Sequence, residues 1–312
     1  MPVLRDLTAE ERLAYFRGVE PIWGGGLEVD RFVAFQRRLA DSAEAEGRYR
    51  LLGLFEGGGF VSAMKGYALH GSFAGARFRL LGVGAVFTPE PLRRRGHANT
   101  MLRLAMEDYG RRGFSAAVLF SDISRSYYER LGYRALQSRE CLVESGELPR
   151  PSGGFRAAGP GEELAMSQLF ASVRAGEERF TLARDGWSLR FQLRRLRELA
   201  RARGVGEPEW GVRVEGRAGD AAAAIRLGRE TVDVLDAAWT SDGARAKLLG
   251  GLRDCLRRSG RPRLRFWPSH QLRGLYPEAE RTQAFAMVAK LAEGVALPEP
   301  GADAALALLD HI

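Results

Sequence analysis

The sequence predicts an α+β fold, a mixed sheet flanked by helices and repeated in tandem, and three observations carry the prediction. Three β-rich runs at 49–56, 60–69 and 78–87 follow one another with glycine-bearing spacers, which makes them antiparallel hairpins. The apolar pattern then turns helical and returns to a strand, a strand–helix–strand unit that closes as a right-handed parallel crossover. After a stretch rich in Gly, Pro and Ser at 144–155, much of this order returns, as in a duplicated fold. The 312 residues suit about two domains of roughly 150 residues each. They are placed at 1–145 and 156–312, with a linker over 146–155.

Residues 8–18 and 28–42 read as helices. Thr8 and Glu11 have capping-box spacing, and Phe32, Phe35 and Leu39 recur at helical intervals. Gly57-Gly58-Gly59 turns the first hairpin and residues 70–75 turn the second. From 96 to 112 the residues Met101, Leu102, Ala105, Met106 and Tyr109 keep a helical period, and Gly113 ends it. A strand at 115–120, a short helix at 124–131 ended by Gly132 and a last strand at 133–143 complete the first half. In the second half helices are expected at 160–174, 185–203 and 243–258. Strands are expected at 210–215, 221–226, 231–238, 263–267 and 284–291.

The hydrophobic share of 45% and charged share of 28% are those of a soluble globular chain. No apolar run approaches the roughly 20 residues that span a bilayer. Residues 1–6 lack a basic segment leading into an apolar one. Cys141 and Cys255 are the only cysteines and make no disulfide framework, so a reduced, cytoplasmic setting is expected. The net charge of +8 raises the question of an anionic polymer. Its texture answers it: only Lys65, Lys247 and Lys290 are lysines, the rest being arginine among many Ala and Gly. No zinc spacing, heptad run or RNA-recognition motif accompanies them, so a solvated Arg-rich surface is expected rather than a nucleic-acid site.

One turn stands apart. The strand ending in Gly84-Ala85-Val86-Phe87-Thr88 runs through Pro89-Glu90-Pro91-Leu92 into Arg93-Arg94-Arg95-Gly96-His97-Ala98-Asn99 and directly into a helix. A helix start offers unpaired backbone N–H groups and the positive end of the helix dipole. Gly96 lets a ligand approach the backbone, Ala98 leaves room against the helix, and the arginines suit a diphosphate. Arg93-x-x-Gly96-x-Ala98 resembles the Arg/Gln-x-x-Gly-x-Gly/Ala signature of the GNAT superfamily of acetyltransferases, which stands at the start of the helix after the fourth strand. The resemblance implies a GNAT-type acyl-CoA N-acyltransferase fold with acetyl-CoA as co-substrate. It implies a coenzyme site made of Val86, Phe87 and Thr88 at the strand edge and of Arg93, Arg94, Arg95, Gly96, His97, Ala98 and Asn99 in the turn. Two prolines, Pro89 and Pro91, flank the position where the family has a single one.

A second segment, Phe120-Ser121-Asp122-Ile123-Ser124-Arg125-Ser126-Tyr127-Tyr128-Glu129-Arg130-Leu131-Gly132-Tyr133, is similar to the family's Phe-Tyr-Glu-Lys-Leu-Gly-Phe stretch. There the second aromatic protonates the departing coenzyme thiolate, a role that maps onto Tyr128; Tyr127 and Tyr133 read as structural. Asp122, at the end of the fifth strand, has two readings: it deprotonates an ammonium, or it caps the helix beginning near Ser124. His70, in a strand turn, is another candidate base.

Other chemistry is set aside. Gly82-Val83-Gly84 lacks the third glycine and helix of a dinucleotide site, and there is no P-loop or Gly-x-Ser-x-Gly. His270 and His311 show no metal-ligand spacing and read as surface or capping residues. After Val234 the second half lacks the turn signature, so one coenzyme site and a degenerate second domain are expected. The resulting expectation is an N-acetyltransferase acting in a ternary complex on a small-molecule or peptide amine. It uses no metal and no membrane, and a homo-oligomer is compatible with it. The alternative is a non-catalytic acyl-CoA-binding sensor or scaffold protein.

Overall fold

The computed structural model describes residues 1–159, 161–204, 211–215 and 219–311, with 211 and 212 described in backbone only. Residues 160 and 210, the first positions of two expected elements, lie outside it.

The first half opens with β1 (Val3–Asp6) and α1 (Ala9–Trp23). The capping box is formed: the Glu11 N–H donates to the Thr8 hydroxyl and the Thr8 N–H to Glu11 Oε2. Helix α2 (Val29–Ala40) buries Phe32, Phe35 and Leu39. Strands β2 (Tyr49–Glu56), β3 (Gly59–Phe73) and β4 (Ala76–Phe87) are antiparallel neighbours. Helix α3 (His97–Arg111) then crosses to β5 (Ala116–Ser121), which pairs parallel to β4. Helix α4 (Arg125–Glu129) follows.

The expected last strand at 133–143 is two strands in two different sheets. β6 (Arg134–Ala135) ends the first sheet, and β7 (Arg139–Glu144) lies within the second. In the second half come β8 (Phe155–Ala157), α5 (Glu163–Ser172), β9 (Thr181–Leu182) and α6 (Gly186–Arg203). The strands β10 (Gly211–Val214), β11 (Ala221–Leu227) and β12 (Thr231–Trp239) lead to α7 (Asp242–Ser259), β13 (Arg263–Phe266), β14 (Ala279–Glu280) and β15 (Phe285–Lys290). The first sheet runs β1-β2-β3-β4-β5-β15-β6, with β9 on β3; the second runs β14-β7-β13-β12-β11-β10-β8. The duplication is plain in the ladders, since β12 and β13 pair parallel as β4 and β5 do.

Each half thus lends a strand to the other: β15 seals β5, and β7 seals β13. The crossing runs through 136–138. There the Ser138 hydroxyl accepts from the Ala286 N–H at 3.1 Å, and the Leu136 N–H donates to the Ala286 carbonyl at 2.8 Å. A run of alternating residues signals a strand but not the sheet it joins, because side-chain period carries no partner identity.

The helices form layers around the sheets. Helices α1, α2 and α6 cover one face of the first sheet, with Phe16, Phe32, Tyr67, Phe191 and Val288 in one apolar cluster. The opposite face packs Met101, Leu102, Ala105 and Tyr109 of α3 on Leu81, Val83 and Leu119. Helix α7 covers the second sheet.

Candidate active site

The β4–β5 ladder ends at Val83 opposite Leu119. Past that pair the strands part, and residues 84–87 keep β3 on one side with no strand on the other. A bulge marks the place: Lys65 pairs with Gly84 but Ala63 with Phe87, and Ala85 sits at a φ of 46°. Such an extra residue bends the strand. The Tyr15 hydroxyl, from α1, donates to the Ala85 carbonyl at 2.7 Å, and the Ser62 hydroxyl to the Phe87 carbonyl at 2.8 Å. The Phe87 ring turns away to α1, so close to Gly18 that a Cβ there would lie 2.6 Å from it. Phe87 thus seats its ring on the α1 side of the sheet, whereas Val86 packs toward α3.

The chain leaves β4 through a single turn of 3-10 helix at Glu90–Leu92, which the two flanking prolines accommodate. Arg94 has a φ of 64°, and Gly96 caps α3 at φ 84°, ψ 0°. A side chain disfavours that geometry at Gly96, while a Cβ there would meet no protein atom within 4 Å. Glycine thus serves the turn and leaves the space before it open. Helix α3 has no side-chain cap and no acidic residue in its first turn. Its first backbone bond runs from the Thr100 N–H to the Gly96 carbonyl, so the N–H groups of 97–99 point outward unpaired. Arg93 folds back, Nε donating to the Thr88 carbonyl at 3.1 Å. Arg93, Arg94 and Arg95 are all exposed. His97 directs its ring to Glu56, with Nδ1 3.4 Å from Oε2, and Asn99 Oδ1 is buried without a partner.

Tyr128 is buried in α4, edge-on to Tyr127 and Tyr133 with ring centroids 4.9 and 5.8 Å away. Burial first, then Tyr127 and Asp122, push its hydroxyl up to about 12, and no hydrogen bond engages it. The hydroxyl is therefore protonated at neutral pH. Tyr133 lies deeper still, its buried hydroxyl unpartnered.

Of the two sequence readings of Asp122, the helix cap is not what the structure shows. Helix α4 starts at Ser124 without any side-chain cap, while Asp122 Oδ1 accepts from the N–H of Ala284 at 2.8 Å. The exposed carboxylate thus holds the lead-in to β15 against the end of β5. His70 stands apart, its Nδ1 3.3 Å from Asp185 at the start of α6. His270 and His311 are not surface residues. His270 is buried against Glu177 at 3.1 Å, and the His311 ring lies against Phe120 and Trp267. Chain order hid both, since their partners come from distant elements.

The equivalent gap in the second half is filled. Past the Val234–Phe266 pair, Asp236 accepts from Arg174 at 2.7 and 2.8 Å and from Arg184 at 2.6 Å, all three side chains being buried. Among the described residues no cluster suits a metal ion, and no helix is long and apolar enough to cross a membrane. Cys141 and Cys255 are both buried thiols.

Sequence reasoning missed Lys65 and Arg195. Lys65 had a signal: Ala63, Tyr67 and Leu69 fill the same alternating face, and a charge among them breaks the pattern. Arg195 had none, standing in a helix with many arginines.

The family model described as an acetyltransferase (GNAT) domain matches residues 4–136. That part of the chain is a GNAT acetyltransferase domain, and its chemistry is acyl transfer. The match stops at residue 136, and over the chain as a whole what is shared is the fold, the GNAT-type one in duplicate. Its fold is similar to that of a probable N-acyltransferase from Enterococcus faecalis V583, with 14% identity, 93% of this chain and 72% of that one covered, and a TM-score of 0.69. A GCN5-related N-acetyltransferase from Kribbella flavida aligns at 18% identity, 92% and 70% coverage and a TM-score of 0.64. A tandem GNAT protein from the clavulanic acid biosynthesis pathway aligns over 95% of this chain and all 100% of its own, at 10% identity and a TM-score of 0.51. At such identities the likeness is one of fold. No curated protein sequence matches this one.

Proposed function

We propose that the protein transfers an acetyl group from acetyl-CoA to a primary amine by direct attack in a ternary complex. The observation that carries this reading is the turn at Arg93–Ala98. It combines an uncapped helix start, a left-handed glycine with open space before it and three exposed arginines, at the end of a strand that has just parted from its neighbour.

In this reading the N–H groups of 97–99 and the arginines hold the diphosphate, as helix N-termini hold anions. The end of β4 at Val86, Phe87 and Thr88, which has no strand on its β5 side, meets the amides of the pantetheine arm. Acetyl-CoA supplies a thioester with a thiolate leaving group. The amine nitrogen bonds to the carbonyl carbon and gives up a proton to water, the carbon–sulfur bond breaks, and Tyr128 passes its proton to the sulfur. Asp122, with one oxygen committed to Ala284, holds the wall of the cleft. The second half (156–312) shapes that wall and carries no coenzyme site of its own.

Acetyl-CoA should raise the melting temperature of the protein, and Gly96→Trp should abolish the rise. A variant stabilised as much as the parent would remove the proposed site. Thiol release across a panel of amines separates enzyme from sensor: an acyl-CoA sensor binds and releases none.

A further inference from the structure

A cavity of about 530 Å³ opens where the two halves meet, beside the start of β4 and so at the far end of that strand from the coenzyme turn. The β3–β4 hairpin forms one wall. Its cross-strand pairs, His70 with Arg79 and Ser72 with Arg77, set four polar side chains on one face of the ladder. Strand β9 extends that wall by pairing with β3 at Gly71 and Ser72. The other wall comes from the second half, from Ala171 near the end of α5, from Arg174 and Ala175 just beyond it, and from the residues that follow β9.

Charge is the distinguishing feature of this lining. Four arginines line the cavity, Arg77, Arg79, Arg174 and Arg184, against one carboxylate, Asp185. That carboxylate is already engaged, accepting from Arg48 at 2.6 Å and from the Ser188 N–H at 2.8 Å. Arg77 and Arg79 are exposed and stand at the mouth, roughly 7 Å apart along one face of β4. Arg174 and Arg184 are buried and form the floor. Asp236 takes two N–H groups, one from each, while Arg174 Nε and Arg184 Nη2 have no hydrogen-bond partner among the described residues. Buried donors are rarely left in that state, and an oxygen acceptor entering from the cavity would complete them.

Size and lining narrow the occupant further. The volume lies within the roughly 300–1,000 Å³ of small-molecule sites and exceeds what a single inorganic ion fills. Phe78, Ala171, Ala175 and Ala183 supply apolar surface for a carbon skeleton. Guanidinium forks match the paired oxygens of phosphate and carboxylate groups.

We propose that this cavity is a second ligand site, separate from the coenzyme turn, and that it binds a small organic anion bearing phosphate or several carboxylates. Arg77 draws the anion in at the mouth, and Arg174 and Arg184 receive its oxygens on the floor. The site stands independently of the acetyl transfer proposed above.

The test is calorimetric titration of the full chain, with coenzyme A present, by glucose 6-phosphate and by citrate. Glucose and inorganic phosphate are the neutral and ionic controls. At least one of the two organic anions should bind once per chain, roughly tenfold or more tighter than either control, and more weakly as salt rises. Glucose 6-phosphate alone would assign a phosphate ester, citrate alone a polycarboxylate, and both together an oxyanion site open to either. Arg77→Gln should weaken binding by roughly tenfold or more, the worth of one charged hydrogen bond. Ala175→Trp fills the cavity without touching a charge and should abolish binding. Both positions are exposed, and circular dichroism checks that both variants keep the parent fold. Gly96→Trp should leave the anion's affinity unchanged. The proposal is overturned if neither organic anion binds, if glucose binds as well as they do, or if inorganic phosphate matches them, which would mean an adventitious ion only. Undiminished binding in Arg77→Gln or in Ala175→Trp also overturns it, as does loss of binding in Gly96→Trp, which would place the anion in the coenzyme turn.

Discussion

At the scale of single residues, Tyr128 and His311 show how burial sets protonation. Tyr128 holds its proton at neutral pH, desolvation first and then Tyr127 and Asp122 raising its hydroxyl, and the role proposed for it is to pass that proton to a departing thiolate. Tyr128→Phe should reduce turnover by roughly 10²–10⁴-fold, the usual worth of a general acid, while coenzyme-induced stabilisation persists. Undiminished turnover would take the acid role from it. His311 is driven the other way. Burial, then Arg195, Arg226, Arg281 and Arg265, lower its ring from an ordinary 6.5 to about 3. Below 6.5 the unfolded chain binds a proton that the native state refuses until about 3. Stability from this group is therefore full above 6.5 and falls as the pH drops through that window. Urea titrations of the parent and of His311→Gln should diverge with falling pH, the variant losing less; parallel curves would contradict the burial of a neutral ring.

At the scale of elements, the two parallel strand pairs have had opposite fates. Between β4 and β5 the gap stays open, its bulge pinned by Tyr15. Between β12 and β13 the corresponding place holds Asp236 with Arg174 and Arg184. Burial alone would raise the Asp236 carboxyl, but the two guanidiniums outweigh it and hold the group below its ordinary value. Asp236→Ala leaves both arginines deep in the protein with one acidic partner fewer, and should cost about 3–5 kcal/mol. Chemical denaturation checks this, and a loss below 1 kcal/mol would show that the ions had found other partners. The second half thus holds a buried ion cluster beside its parallel strand pair, where the first half has an open gap and the glycine turn.

At the scale of the whole molecule, strand exchange binds the halves together. Strand β15 pairs with β5 along its length and has Ala286, Met287, Val288 and Ala289 buried. A fragment 1–145 lacks it and exposes the apolar edge of β5, an invitation to aggregation. That fragment alone should be insoluble or molten, and co-expression with 146–312 should recover a soluble pair. A fragment that stayed monomeric, with native near-ultraviolet dichroism, would show the exchange to be dispensable. The exchange also brings Ala284 of the second half onto Asp122 at the end of β5.

By itself the sequence determined what depends on near neighbours. Periodicity set the helices and most strands, the Thr8–Glu11 spacing produced the capping box, and the glycine at 96 marked a left-handed turn before a helix. The turn and the Tyr127–Tyr128 pair were legible as motifs because their geometry is local. Only the tertiary structure decided where 133–143 divides, which sheet each piece joins, and that Asp122 reaches Ala284 across 162 positions. The hydrogen bond from Arg195 to the His311 carbonyl was equally out of reach, because it spans 116 positions of the chain. Period and spacing report the face a residue takes on its own element; what that face meets is settled by packing between elements distant in the chain.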